Sequence, residues 1–219
     1  MYYNQHPASP LKAFLKKTIV YDFIAPYLWK KERKIERSRN EAIRAPLVSK
    51  YYPKQSIGAE IGVFKGDFSP TLLKYSDPKE LHLIDPWYHL EPKWEWASGN
   101  KSTIDGLVGI LHEHRDDIER NRVFIHVQDD LIVLRDFPDD YFDWVYIDSS
   151  HDYEHTKKEL AILNNKVKKG GIISGDDWRN DTSHVHYGVY KAVQEFLSFN
   201  NYEVLYASDS DLQWFLRKL

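Results

Sequence analysis

Between residues 11 and 28 the apolar positions Leu11, Phe14, Leu15, Ile19, Val20, Phe23, Ile24 and Leu28 recur largely at steps of three and four. That spacing predicts an amphipathic helix turned toward a core. Pro26 is expected to interrupt or end it, since proline cannot donate to the helix ladder. The mixed-charge run from Lys30 to Arg39 reads as solvated helix. From about Ser56 short β-type runs alternate with helix-length segments, the pattern of a parallel sheet with crossover helices. Strands are predicted over 56–61, 81–85, 122–127, 142–148 and 171–174, and helices over 69–75, 103–120, 153–167 and 185–199. Two short runs at 202–206 and 212–217, joined by five residues too few for a crossover helix, predict a hairpin. The expected fold is therefore α/β and doubly wound: a mostly parallel, seven-stranded sheet with an antiparallel C-terminal hairpin edge. An N-terminal helical extension, 1–55, precedes a catalytic domain, 56–219.

Composition narrows the classes. The 219 residues suit one large domain, and no apolar run approaches the ~20 residues of a membrane span. The N-terminus lacks the basic start and apolar stretch of a secretory signal, so a cytoplasmic address is expected. With no cysteine, any metal must be held by oxygen or imidazole. A net charge of -3 offers no general attraction to nucleic acid, and none is expected as a partner.

Two segments point to a nucleoside cofactor. Ile57 to Ser69 reads as a strand, a turn bearing Gly62 and Gly66, and the start of a helix, although the G-x-G-x-x-G fingerprint is absent. The next strand ends on Asp85, nineteen positions past Gly66, where a carboxylate can accept hydrogen bonds from ribose hydroxyls. The competing reading of each is plain turn geometry. Neither a zinc-protease H-E-x-x-H nor a G-x-S-x-G elbow occurs, which leaves hydrolase chemistry without support.

Several further pieces match in order: Glu60-Ile61-Gly62-Val63-Phe64-x-Gly66, Asp85, Asp129, Phe142 to Asp148, His151-x-Tyr153-Glu154, and Gly170 to Trp178. Over Ile57 to about Trp178 the chain resembles the Rossmann-like class I methyltransferases, particularly the branch containing metal-dependent sugar O-methyltransferases. The resemblance implies S-adenosylmethionine as cofactor, with Glu60 and Gly62 beside its methionine part, Asp85 on the ribose and Asp129 at the adenine amino group. Phe64, Gln128 and Asp148 complete the expected cofactor set. The chain departs from the pattern at Gln128, where many relatives carry glycine, at Ser149-Ser150 after Asp148, and at Trp178 in place of a frequent tyrosine.

Asp148, Asp176 and Asp177 end two strands expected to be neighbours, and three converging carboxylates repel unless a cation joins them. They are the expected ligands of Mg²⁺ or Mn²⁺. The alternative is that Asp148 caps the helix near Tyr153 while Asp176-Asp177 form a turn. His151, which matches a histidine of the related sugar methyltransferases, is the expected base, with Asp148 as the rival. His184 and His186 are weaker candidates for the acceptor pocket. The aromatic segment from Trp87 to Trp96 is expected to cover the core or to act as a lid. The expected reaction is an in-line methyl transfer to a hydroxyl of a small acceptor, a sugar by resemblance. A metal-free O- or N-methyltransferase is the nearest rival, ahead of a nicotinamide oxidoreductase and a non-catalytic assembly protein. The N-terminal segment could also serve a homo-oligomer.

Overall fold

The computed structural model describes residues 19–89 and 101–219. Its elements are α1 (Ile19–Tyr51), β1 (Ile57–Ile61), α2 (Ser69–Ser76), β2 (Glu80–Asp85), α3 (Lys101–Glu113), α4 (Arg115–Glu119), β3 (Val123–Val127), α5 (Asp130–Asp136), β4 (Phe142–Ile147), α6 (Tyr153–Lys166), β5 (Val167–Gly175), α7 (Tyr187–Phe199), β6 (Tyr202–Ala207) and β7 (Trp214–Lys218). The seven strands form one sheet in the order β3-β2-β1-β4-β5-β7-β6. β3 through β5 pair in parallel, while β7 lies antiparallel between β5 and β6. This is the expected mostly parallel Rossmann-like sheet, closed by the expected hairpin.

The central strands are apolar almost throughout because helices cover both faces of the sheet. Alternate residues serve the two sides. Ala59, Ile61, Val145, Ile147 and Ile173 pack against Leu134 of α5, Leu160 and Leu163 of α6 and Val193 of α7. Leu81, Leu83, Trp144, Tyr146 and Phe215 pack against Val48 of α1, Leu72 of α2 and Ile110 of α3.

Three details differ from the sequence expectation. α1 continues through Pro26 and Pro46 instead of stopping at Pro26. Proline removes one hydrogen bond from the ladder, and the burial of Ala45, Val48 and Tyr52 offsets such a loss in the second half of the helix. The predicted helix over 103–120 is divided at buried His114, whose backbone leaves helical geometry. α5 was not predicted; Asp129 starts it, its carboxylate accepting from the Leu131 N–H at 2.9 Å. Residues 11–18 of the first predicted helix, and Leu90 to Trp96 of the aromatic segment, lie outside the described residues. No helix among those described is long and apolar enough to cross a membrane.

The strand order reverses between β1 and β4, the switch point where open α/β sheets bind ligands beyond their carboxyl ends. The backbone is tight there. The Asp148 N–H donates to the Ile61 carbonyl at 2.7 Å, and Gly62 adopts φ +84° with its Cα against Asp148. A Cβ at Gly62 would lie 2.0 Å from the Asp148 carbonyl oxygen, a separation only backbone movement relieves. Gly62→Ala is therefore expected to lose more than about 1 kcal/mol of stability. For a chain of this size that lowers Tm by at least about 2–4 °C in a thermal unfolding scan.

Candidate active site

β1, β2, β4 and β5 deliver carboxyl groups to this one edge. Glu60, on β1, is buried and accepts a hydrogen bond from the Ser69 hydroxyl at 2.6 Å. Asp85, at the end of β2, is buried and organises the turn after β1. Its Oδ2 accepts from the N–H groups of Val63 at 2.9 Å and Phe64 at 2.8 Å, and its Oδ1 from that of Trp87 at 2.6 Å. The indole of fully buried Trp87 donates in turn to the Phe64 carbonyl. Burial pushes the Glu60 carboxyl up to about 8, helped by the charges of Asp148 and Asp85. Burial likewise raises Asp85 to about 6, although three backbone donors pull against it.

Asp148, Asp176 and Asp177 do converge, but a cation of the protein's own lies among them. Arg44, from the second half of α1, reaches the sheet edge with its side chain only 7% exposed. Its Nη1 donates to Asp148 Oδ2 at 3.2 Å and its Nη2 to Asp176 Oδ2 at 2.7 Å. The guanidinium lies over the rings of Phe68 and Tyr146, at 4.7 and 5.2 Å from their centroids. Asp176 Oδ1 accepts from Gln213 Nε2 at 2.6 Å, and Gln213 Oε1 accepts from the Tyr146 hydroxyl at 2.7 Å. Burial raises the Asp176 carboxyl against the pull of Arg44.

His151 joins the second half of the cluster. Its Nε2 stands 3.0 Å from Asp148 Oδ1 and its Nδ1 3.2 Å from Asp177 Oδ2. His186 Nδ1 approaches the same Asp177 oxygen at 2.8 Å. A protonated ring donates from both nitrogens and a neutral ring from one, so His151 can carry a proton between two carboxylates. Burial opposes ionisation of Asp177, yet the hydrogen bond from His186 and the charge of His151 bring it down to about 2. The helix start at Tyr153 is capped by Asp152, whose carboxylate accepts from the His155 N–H, which leaves Asp148 to the cluster. Phe64, Trp87, His151 and Asp177 all adopt positive φ, between 42° and 61°. Such strain in side-chain-bearing residues gathers at sites the surrounding fold over-determines.

The three aspartates therefore do not fit a shared Mg²⁺ or Mn²⁺ in this arrangement. Arg44 spans Asp148 and Asp176, Gln213 holds the other Asp176 oxygen, and Asp177 turns to the two histidines. Arg44 escaped the sequence reading because its chemistry depends on a contact 104 positions away. The one available signal was a charged residue set among Ala42, Ile43, Ala45, Leu47 and Val48. Elsewhere on the edge, Asp129 caps α5 and Gln128 accepts from the Asp129 N–H at 2.9 Å. His184 accepts from the His186 N–H, placing both histidines by the cluster.

Residues 59–178, just over half of the chain, match the model of a methyltransferase-domain family, methyltransferase family 24. The chain belongs to that family. No curated protein matches the sequence. Solved structures share the fold at low identity. A Methanococcus maripaludis protein assigned as an S-adenosylmethionine-dependent methyltransferase superposes with a TM-score of 0.57 at 16% identity, covering 86% of this chain and 90% of that one. An N-methyltransferase of Bradyrhizobium japonicum gives 0.54 at 15%, covering 84% and 96%. Spermidine synthase of Thermotoga maritima gives 0.51 at 14%, and there this chain, 81% covered, spans only 57% of the other.

The matched family is one of methyltransferase domains, and the β1–β2 edge carries groups suited to a cationic ligand. Glu60 and Asp85 are buried carboxyl groups with raised proton affinity beside a glycine turn, and a ligand bearing sulfonium and ammonium charges favours their ionised forms. Binding near neutral pH is accordingly expected to release protons, with affinity rising from pH 6 and levelling off above about 8. Calorimetric titration in buffers of different ionisation enthalpy measures that release, and Glu60→Gln should reduce it. Arg44→Ala is expected to lose about 3–5 kcal/mol at pH 7, as a buried ion pair broken on one side does. Urea unfolding should find a smaller loss as the pH is lowered, because burial makes the Asp176 carboxyl take up a proton at a higher pH than an ordinary aspartate.

Proposed function

We propose that this enzyme methylates a hydroxyl group of a small acceptor, a sugar or sugar-like natural product, and that Arg44 supplies the positive charge that a divalent metal would otherwise provide. The observation that carries the metal-free reading is the Arg44 fork across Asp148 and Asp176. The sugar and the choice of oxygen rest on the sequence resemblance.

In this reading Glu60, Gly62 and Phe64 line the methionine end of the cofactor, Asp85 offers the remaining lone pair of Oδ1 to a ribose hydroxyl, and Gln128 and Asp129 border the adenine. S-adenosylmethionine supplies an electrophilic methyl carbon on a positively charged sulfur. Asp148 accepts from Nε2–H of His151, setting the tautomer whose Nδ1 lone pair can take a proton, as a carboxylate orients a histidine base. Asp177 Oδ2 stands 3.2 Å from Nδ1 and gives way when the acceptor hydroxyl takes its place there. Bound there, the cofactor would supply the methyl group to the acceptor oxygen and leave as S-adenosylhomocysteine, while His151, held between Asp148 and Asp177, would keep the proton. Alignment and charge compensation provide most of the acceleration.

The alternative, assistance by Mg²⁺ on Asp148, Asp176 and Asp177, requires Arg44 to withdraw. A methyl-transfer assay on a panel of sugars and phenols, with and without EDTA, separates the two. Full activity after chelation is expected, whereas loss restored by Mg²⁺ overturns the role given to Arg44. In the same assay His151→Ala should lower kcat about 10²–10⁴-fold with little change in S-adenosylhomocysteine affinity. Unchanged kcat moves the base to Asp148.

A further inference from the structure

A second cluster of ligand-type side chains lies on the other side of Ser149, where the methyl-transfer reading assigns no task. Asp130, the first residue of α5, faces His155 of α6, with Nε2 at 3.0 and 2.9 Å from its two carboxylate oxygens. Glu159 lies four residues further along α6, on the same face of that helix. His155, Asp130 and Glu159 each offer a ligand atom, and these atoms all lie within 4.8 Å of one another. Asp130 and Glu159 are buried, while the His155 side chain keeps 22% exposure, which leaves the cluster an entrance.

Glu159 is the unexplained member. It is 0% exposed, and its Oε1 accepts from the Ser149 hydroxyl at 2.6 Å. Its Oε2 is buried with no hydrogen-bond partner. A carboxylate oxygen so enclosed is costly, and burial beside Asp130 raises the proton affinity of Glu159 well above its ordinary value. A cation among the imidazole and the two carboxylates would take the place of that proton.

We propose that Asp130, His155 and Glu159 bind a single Zn²⁺. One imidazole and two carboxylates suit zinc, which accepts nitrogen and oxygen at about 2.0–2.2 Å, better than magnesium, which favours oxygen alone. Ser149 supports Glu159 from outside the ligand set by donating to its Oε1. The ion ties the first turn of α5 to α6. Because Asp129 caps that same turn, zinc binding fixes the segment that borders the proposed adenine site. The proposal does not depend on which acceptor is methylated or on which group is the base.

Purified full-length protein, stripped with chelator and titrated with Zn²⁺ against a chromogenic competitor, is expected to hold an equivalent that Glu159→Gln and His155→Ala lose. Affinity should fall by about 100-fold or more, beyond the roughly 10–100-fold effect of outer-shell partners, while Ser149→Ala falls within that smaller range. His186→Ala removes a ligand-type residue from the other cluster, His151, Asp177 and His186, and should keep the equivalent. Proton–nitrogen NMR of the histidine rings in wild-type protein provides a reading that needs no variant: the His155 ring should shift on adding Zn²⁺ at one equivalent. Absence of tight Zn²⁺ binding by wild type, retention of the equivalent in Glu159→Gln, or an unmoved His155 ring overturns the proposal.

Discussion

The architecture of the catalytic edge depends on one guanidinium. Asp148 and Asp176 leave adjacent parallel strands, and the sheet geometry brings their carboxylates together whether or not they repel. Arg44 resolves that repulsion from within the chain, lying over the adjoining rings of Phe68 and Tyr146 so that its planar fork meets both acids. A hydrated ammonium would meet the same acids without the stacking surface. From this contact the other assignments follow in sequence: Asp148 meets His151 through its second oxygen, His151 meets Asp177 through its second nitrogen, and Asp177 holds Arg179 as well as the histidines.

Much of this was legible in the sequence, and the reason is local. The alternation of short apolar runs with helix-length segments is written residue by residue, so the strands from β1 to β5 and the C-terminal hairpin follow from pattern alone. Asp85 at a strand end and the turn with Gly62 were readable because the backbone there needs particular residue types. What escaped depends on distance along the chain. Arg44 acquires its meaning from Asp148 and Asp176, Gln213 from Asp176, and α5 from a cap at Asp129, a residue the sequence pointed to only as a cofactor contact. Pro26 misled for a related reason, since a local rule about prolines says nothing of what supports the rest of a long helix.

The strain at the edge fits the same account. Phe64, Trp87, His151 and Asp177 hold positive φ values that side-chain-bearing residues seldom adopt, and each is pinned by contacts from a different element. Asp85 clamps the first two through their N–H groups, and the contact of His151 Nδ1 with Asp177 Oδ2 ties the last two together. Rigid placement of this kind suits the proposed reaction, in which a displaced base or turn would lose the in-line geometry.

The span of the family match gives Arg44 a further significance. That match covers residues 59–178, which contain Glu60, Asp85, Asp148, His151 and both later aspartates. Arg44 precedes it and Gln213 follows it, yet these two grip the carboxylates at its end. The shared segment is thus an unfinished electrostatic circuit, and the flanking elements close it. The matched segment alone would leave those carboxylates facing one another, so the charge balance of this edge is set by residues on either side of the family match.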